Sequence, residues 1–471
     1  MIQELWKYKK LPLLFALLSL VFYSAFAYDL ERADFIKLIT LYGGLFFCFY
    51  KMIQTGKSDF MLLAGMAVAL RLVFLPVIPN LSQDFYRFIW DGRMLVQGIN
   101  PYLSTPESHI LAQNFDIVAQ SQALYDGMGA LNGSHYTNYP PLNQLLFALA
   151  GLFAGKSIVG SAIVFRIIML LADIGIIILG KKLLQKLRLP IYHIFWYALN
   201  PFIIIEMTGN LHFEPVMLFF VLASLYALVT QRWICSAILL ACSVSTKLIP
   251  LLFLPLFLQY FLSNAGQSKW FHLRENAKRI PRLLLYYVLV LATVFISFLP
   301  FLTGEFAVNF GASIALWFQN FEFNASVYYI IRWIGFQTIG WNIIADVGKI
   351  LPLIVIGVLL LLTFFRKNGK AQQLITVMLL GISFYFLLST TVHPWYAATP
   401  LLLCVFTKYR FPVVWSFTIM LSYSAYGVDG FHENLWLVGI EYVAVIGFFI
   451  WEVFVPISSS GKKAKARIEL G

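Results

Sequence analysis

Residues 11–28 read LPLLFALLSLVFYSAFAY, a stretch without a charged side chain. About 20 apolar residues cross the hydrocarbon core of a bilayer, and a helix satisfies its own backbone hydrogen bonds there, so this stretch predicts a transmembrane α-helix. The same reading extends outward along the chain. The polar stretches Tyr28 to Asp34 and Lys51 to Asp59 separate this run from two more, near 34–52 and 60–78. Further apolar runs lie near 158–180, 191–209, 212–230, 283–303, 350–365, 373–391, 396–428 and 436–456. Allowing for splits, the sequence predicts an all-α, polytopic transmembrane bundle of about 11–13 spans.

Composition agrees. Of 471 residues, 60% are hydrophobic, 17% aromatic and only 12% charged. So little polar surface cannot cover a water-soluble globule, which sets aside soluble enzymes, nucleic-acid readers and disordered scaffolds. The net charge of +12 sits in short loops between apolar runs, where Lys and Arg report topology and imply no nucleic-acid partner. Cys48, Cys235, Cys242 and Cys404 all lie inside apolar stretches without metal-ligand spacing, so neither a disulfide nor a zinc site is implied. Lys7, Lys9 and Lys10 precede an apolar core ending in Ala25, Phe26 and Ala27, which looks like a signal-peptidase site. The spans that follow at once favour an uncleaved first helix.

Basic segments prefer the cytoplasmic side. They are Lys7 to Lys10, Lys51 to Lys57, Lys181 to Arg188, Lys269 to Arg282, Arg366 to Lys370, Lys408 to Arg410 and the tail Lys462 to Arg467. The outer side then receives Tyr28 to Asp34, Ile78 to Tyr139, Gly209 to Glu214, Thr303 to Lys349, Val392 to Tyr396 and Val428 to Asn434. Two places resist simple alternation. Pro140 to Ala154 makes only about 22 Å of helix, so it either re-enters or leaves a basic loop outside. Ile234 to Phe261 is too long for one span and is interrupted by Lys247 and Pro250. It reads as two half-spans meeting near the outer face, a break tolerated where it is buried or lines a cavity. The chain divides into two N-terminal helices (1–58), a main transmembrane domain (59–456) with a large extracytoplasmic loop at 79–139, and a basic cytoplasmic tail (457–471).

That outer loop is about 60 residues long, far beyond an ordinary helix connection. Its first part, SQDFYRFIWDGR at 82–93, places Asp84, Arg87 and Asp91 on one helical face. Phe85, Phe88 and Ile89 form an apolar face suited to the membrane surface. A solvated ion-pair helix capping the bundle would look the same. Glu214, beside Pro215 at the start of a span, reads either as a cavity-facing carboxylate or as one that offsets the helix dipole. Lys247 stands far from any other charge in sequence, which points to an anionic partner or to snorkelling. Asn320 to Ser326, Tyr328 and Tyr329, and His393 to Tyr396, reach the same side. An interfacial aromatic belt accounts for such residues one by one. Their convergence is more informative, because Asp84, Glu214, Asn324 and His393 come from four distant segments and are all placed on one face.

The run SQDFYRFIWDGRMLVQGINPY (82–102), with NYPPL (138–142), GNLHFEP (209–215), STKLIPLL (245–252) and TVHPWY (391–396), resembles the GT-C superfamily of membrane glycosyltransferases. Within it the sequence is most similar to the polyprenyl-phosphate-mannose-dependent mannosyltransferases, which include relatives of the glycosylphosphatidylinositol-anchor mannosyltransferase. The resemblance implies a GT-C-like catalytic domain at 59–456, a sugar donor on a lipid phosphate, and an essential acid in the first outer loop. Carried over, that acid is Asp84, with Asp91 a second candidate. Other branches of the superfamily carry paired acids here, whereas this chain has Gln83 before Asp84, so metal is left unassigned and no cofactor is implied beyond the lipid-phosphate sugar as co-substrate. The two helices before Asp59 look like an addition ahead of the usual first span.

Inverting glycosyl transfer needs a carboxylate to deprotonate the acceptor hydroxyl and cations to stabilise the departing phosphate. Asp84 fits the first role; Arg87, Arg93 and Lys247 fit the second. Glu214, His212, Asn324 and His393, with Trp395 and Tyr396 as stacking surfaces, would hold the sugars. The partners implied are a polyprenyl-phosphate-sugar donor, a glycan or glycolipid acceptor and the lipid bilayer. The resemblance puts mannose first among hexoses. The setting this implies is a prokaryotic plasma membrane with the active site outward, the endoplasmic reticulum membrane being the alternative. A secondary transporter or flippase also has about a dozen spans and a broken helix, but its charges would lie near the midplane within inverted repeats. A subunit without catalysis would make Asp84 dispensable.

Overall fold

The computed structural model describes residues 2–263, 277–319 and 321–455. The tail at 457–471 and most of the basic segment Lys269 to Arg282 lie outside these, as does Asn320. The molecule is an all-α membrane bundle. Among the described residues, seven helices are long and apolar enough to cross a membrane: Lys9–Tyr28, Phe35–Gly56, Ile158–Lys186, Ile280–Phe301, Ile344–Phe365, Ala371–Leu388 and Leu435–Phe454. An eighth candidate is a broken pair, Ile203–Gly209 and Glu214–Val229, bent by 112°, the geometry of a broken span or a re-entrant loop.

The remaining predicted spans appear as shorter pieces. The run at 60–78 is helical only over Phe60–Leu72. Asn200 precedes Pro201, which disfavours helix at that point, and 191–209 divides into a 3-10 turn, a short helix Phe195–Ala198 and a π-helix Ile203–Gly209. The run at 396–428 breaks into Ala398–Cys404, Phe411–Thr418 and a 3-10 stretch Ile419–Ala425. The two expected half-spans are present as Trp233–Thr246 and Ile249–Leu262, with Lys247 in extended conformation between them. Pro250 and Pro255 remove backbone donors from the second half, and its first nine residues are 3-10.

Helix starts follow their capping residues. Asp34 accepts from the Lys37 N–H at 3.0 Å and Asp59 from Leu62 at 3.0 Å; each satisfies a donor that the helix itself leaves open. The outer loop folds into helices Asp84–Val96, Pro106–Leu111 and Ser121–Ser134. Its apolar face is covered by protein: Phe85, Phe88 and Ile89 are buried, and Phe88 stacks on Phe147 at 4.7 Å and 7°. Phe165 and Phe213 complete that aromatic cluster. Phe213 separates His212 from Glu214, so the packing of the loop and the position of the bent span are set by one core. The helix Pro141–Ala154 lies against the loop helix at Gly92, where a Cβ would sit 2.1 Å from the Phe147 carbonyl oxygen.

Candidate active site

Three chain segments approach one another at the bend of the broken span, and polar side chains fasten them. Arg166, in the helix Ile158–Lys186 and 1% exposed, donates to the carbonyls of Thr208 (3.0 Å), Gly209 (3.0 Å) and Leu75 (3.1 Å), and to that of Val77. Helix C-termini leave carbonyls unpaired and carry partial negative charge, so a buried guanidinium is well matched to them. Asn80 donates to the carbonyls of Phe26 (2.8 Å) and Leu30 (2.9 Å), and the Leu81 N–H donates to Asn210 Oδ1 at 3.4 Å. The end of the first helix, the start of the outer loop and the bend are thereby held together.

Asp84 is the first residue of the loop helix, half-buried, and Asn132 Nδ2 donates to its Oδ1 at 3.1 Å. Burial raises its pKa above the usual carboxylate range; the Asn132 hydrogen bond and the charges of Lys247 and Arg32 oppose that rise. Glu214 begins the second half of the bent span and is ion-paired with Lys247 from the break between the half-spans. Glu214 is buried with its Oε2 unpartnered and lies within electrostatic reach of Asp84. Tyr139 lies within reach of both Asp84 and Tyr396.

Beside these charges stands an aromatic stack. His212 packs on Trp395 at 3.7 Å and 20°, and Trp395 on His393 at 4.5 Å and 5°. His393 is held neutral, its pKa lowered to about 3 by burial and then by Lys247 and Arg32. Its strand-like approach is set by Phe323, whose N–H donates to Thr390 (3.1 Å) and whose carbonyl accepts from Val392 (2.8 Å). Tyr396 stacks on Phe386 at 5.4 Å. Glu206, inside the π-helix, accepts from Tyr423 Oη at 2.8 Å, and its Oε2 lies 3.8 Å from His212 Nε2, beyond hydrogen-bond length.

The structure therefore brings together Asp84, His212, Glu214, Lys247, His393, Trp395 and Tyr396. It commits the other predicted residues elsewhere. Asp91 is fully buried, with Oδ1 paired to Arg87 Nε at 2.8 Å and Oδ2 accepting from Gln144 Nε2 at 3.0 Å. Arg87 further donates to the carbonyls of Asn132 (2.7 Å) and His135 (2.9 Å). Arg93 donates to the carbonyls of Ala119 and Lys156, the latter at 3.0 Å. Asn324 is buried behind Phe323: its N–H donates to Glu433 at 2.6 Å, its amide to Glu441 at 3.3 Å, and its carbonyl accepts from Tyr442 at 2.6 Å. Among the described residues no three His, Cys, Asp or Glu side chains converge to hold a metal ion.

Residues absent from the sequence reading also reach the site. Glu206 is a lone carboxylate inside IIIEM, and its cost in an apolar run was the available signal. Arg32 lies in the first outer turn, where a base among acids was equally visible. Arg166 and the buried Arg71–Asp173 pair at 2.8 Å carried the same signal.

Residues 31–263 match a family model described as Alpha-(1->6)-mannopyranosyltransferase, N-terminal domain. That segment contains Asp84, His212, Glu214 and Lys247, and it takes in the second N-terminal helix. A Mycobacterium tuberculosis protein named Alpha-(1->6)-mannopyranosyltransferase A is 22% identical over 341 residues, covering 69% of this chain and 61% of that protein. A Corynebacterium glutamicum protein of the same name is 24% identical over 198 residues, 40% of this chain and 36% of that protein. The chain thus spans less than two thirds of the length of either relative. Over residues 31–263 the chain is thus similar to the Alpha-(1->6)-mannopyranosyltransferase family, and its long apolar helices around a buried polar cluster are those of an integral membrane protein.

Proposed function

We propose that the protein transfers mannose from a polyprenyl-phosphate-linked donor to the hydroxyl of an extracytoplasmic glycan or glycolipid, with inversion and with Asp84 as general base. The names of the relatives suggest an α-(1→6) linkage. The observation that carries this reading is the coincidence of the family match with the three segments that bring Asp84, Glu214 and Lys247 within electrostatic range of one another. In this mechanism Asn132 fixes one oxygen of Asp84, and the other accepts the acceptor's hydroxyl proton. The acceptor oxygen forms the new bond to the anomeric carbon. The bond from that carbon to the phosphate oxygen breaks, and its electron pair leaves with the polyprenyl phosphate. Lys247 stabilises the charge gathering on that phosphate. A carboxyl pKa raised by burial makes Asp84 a stronger base than an exposed aspartate while it remains ionised. The His212–Trp395–His393 stack offers flat, uncharged faces to sugar rings. The site would face outward from a prokaryotic plasma membrane.

The test is an assay of purified protein in detergent with a synthetic polyprenyl-phosphate-mannose and short mannoside acceptors, with Asp84→Asn beside wild type. Product from wild type and none from an equally folded Asp84→Asn establishes the reading. Equal activity in both removes Asp84 from the chemistry.

A further inference from the structure

The turn between the first two helices brings a cation to the site that the proposed mechanism has not used. Arg32 sits in that turn with its guanidinium 3.4 Å above the ring of Tyr426. Tyr426 in turn packs near Tyr423 (5.9 Å), which holds Glu206, and near Phe323 (6.1 Å), which packs on His393 at 5.4 Å. The turn is not adrift, because Asn80, four residues before Asp84, donates to Phe26 and Leu30 on either side of its start. Arg32 and Lys247 act on the same three groups, Asp84, His212 and His393.

The two cations differ in their commitments. Lys247 already has the Glu214 carboxylate. Among the described residues no carboxylate lies within 4.0 Å of Arg32, although Asp29 and Asp34 are its neighbours in sequence; Asp29 pairs with Lys37 at 2.7 Å and Asp34 caps the second helix. Arg32 Nε is buried and has no hydrogen-bond partner. The Arg32 side chain also hydrogen-bonds that of Tyr426, which orients the guanidinium, and the donors that remain suit binding of phosphate oxygens. The neighbouring Arg87 and Arg93 each keep one buried nitrogen without a partner as well, but they are anchored by their other donors to backbone carbonyls, and Arg87 also to Asp91.

We propose that Arg32, delivered by the N-terminal helical hairpin, binds the phosphate monoester of a lipid phosphate jointly with Lys247, which makes that hairpin part of the substrate site. This rests on the lipid-phosphate donor reading above. It also gives the two helices ahead of Asp59 a role in binding.

The probe is citronellyl phosphate, a short prenyl phosphate without sugar, with citronellol as its uncharged counterpart and inorganic phosphate as the headgroup alone. Binding to the purified full-length protein in detergent is measured for wild type, Arg32→Gln and Arg32→Lys. Wild type is expected to bind the phosphate ester more tightly than the alcohol. Arg32→Gln should weaken the ester roughly 10-fold or more and leave the alcohol unchanged, with Arg32→Lys between. Comparable competition by inorganic phosphate alone would assign Arg32 to a free anion and overturn the lipid-phosphate site. The inference is also overturned if wild type shows no preference for the ester, if Arg32→Gln binds it normally, or if ester and alcohol weaken together, since that marks a structural role. Mannose transfer is assayed in parallel. Transfer by wild type with an Arg32-independent ester leaves the function standing and removes this inference; Arg32-dependent ester binding without transfer of mannose does the reverse.

Discussion

Asp84 and Asp91 sit two turns apart on one face of one helix, and their surroundings could hardly be less alike. Asp91 is sealed: both oxygens are occupied, by Arg87 and Gln144, and no part of the side chain reaches solvent. Asp84 has one hydrogen bond, from Asn132, and faces Lys247 and Arg32 without contacting either as an ion pair. A carboxylate that is fully satisfied contributes architecture, whereas one whose charge is supported only from a distance can still take a proton. The arginines divide in the same way, with Arg87 and Arg93 closing the loop and Arg32 uncommitted to any carboxylate.

The widest separation between the two acids is expected in turnover. Asp84→Asn should lower mannose transfer by about 100- to 10,000-fold, the range for loss of a positioned base, with little change in thermal unfolding. Asp91→Asn should do the opposite. It leaves the buried Arg87 without its counter-charge, a loss worth about 3–5 kcal/mol for a buried pair, visible as a lowered unfolding midpoint in detergent while the folded fraction keeps its turnover. If Asp91→Asn instead unfolds normally and loses activity, the contrast is inverted. A smaller effect belongs to Gly92, next to Asp91. Gly92→Ala places a Cβ 2.1 Å from a backbone oxygen of the neighbouring helix; since neither backbone is free to yield, the two helices must part, at about 1–3 kcal/mol by the usual scale of overpacking. An unchanged midpoint would show that the loop helix is more loosely held. The smallest effect sharpens the Asp84 side. The Asn132 hydrogen bond favours the ionised carboxylate, so Asn132→Ala should raise the Asp84 pKa further and move the acid limb of the kcat/KM profile to higher pH. Activity then falls first on the acid side and recovers as pH rises; a limb that stays in place would mean it belongs to another group.

Much of this arrangement was legible in the residues. The apolar runs located the long helices, and the pairing of Lys247 with Pro250 marked the break between half-spans because a charge and a missing backbone donor are both costly within a membrane. Asp84, Glu214 and His393 were grouped from three distant segments, and the structure places them together, while Asn324 is retained by Glu433, Glu441 and Tyr442 in the framework behind. What could not be read was the destination of each donor. Arg87 and Arg93 look like phosphate ligands in sequence because their acceptors are carbonyls of Asn132, His135, Ala119 and Lys156, and every residue has a carbonyl. Hydropathy likewise does not register the π-turn near 200 or the places where the run at 396–428 divides.

The Arg166 contacts also bear on how the protein is made. Its acceptors lie on both sides of it in the chain: Leu75 and Val77 are synthesised before it, Thr208 and Gly209 after. During synthesis the guanidinium therefore enters the bilayer with only half of its partners in existence, at an energetic cost that the translocon and surrounding lipid must bear until the bend arrives. The contacts that relieve this charge are those that fix the bend carrying His212 and Glu214, so the burial of Arg166 and the shaping of the candidate site depend on the same late-made segment.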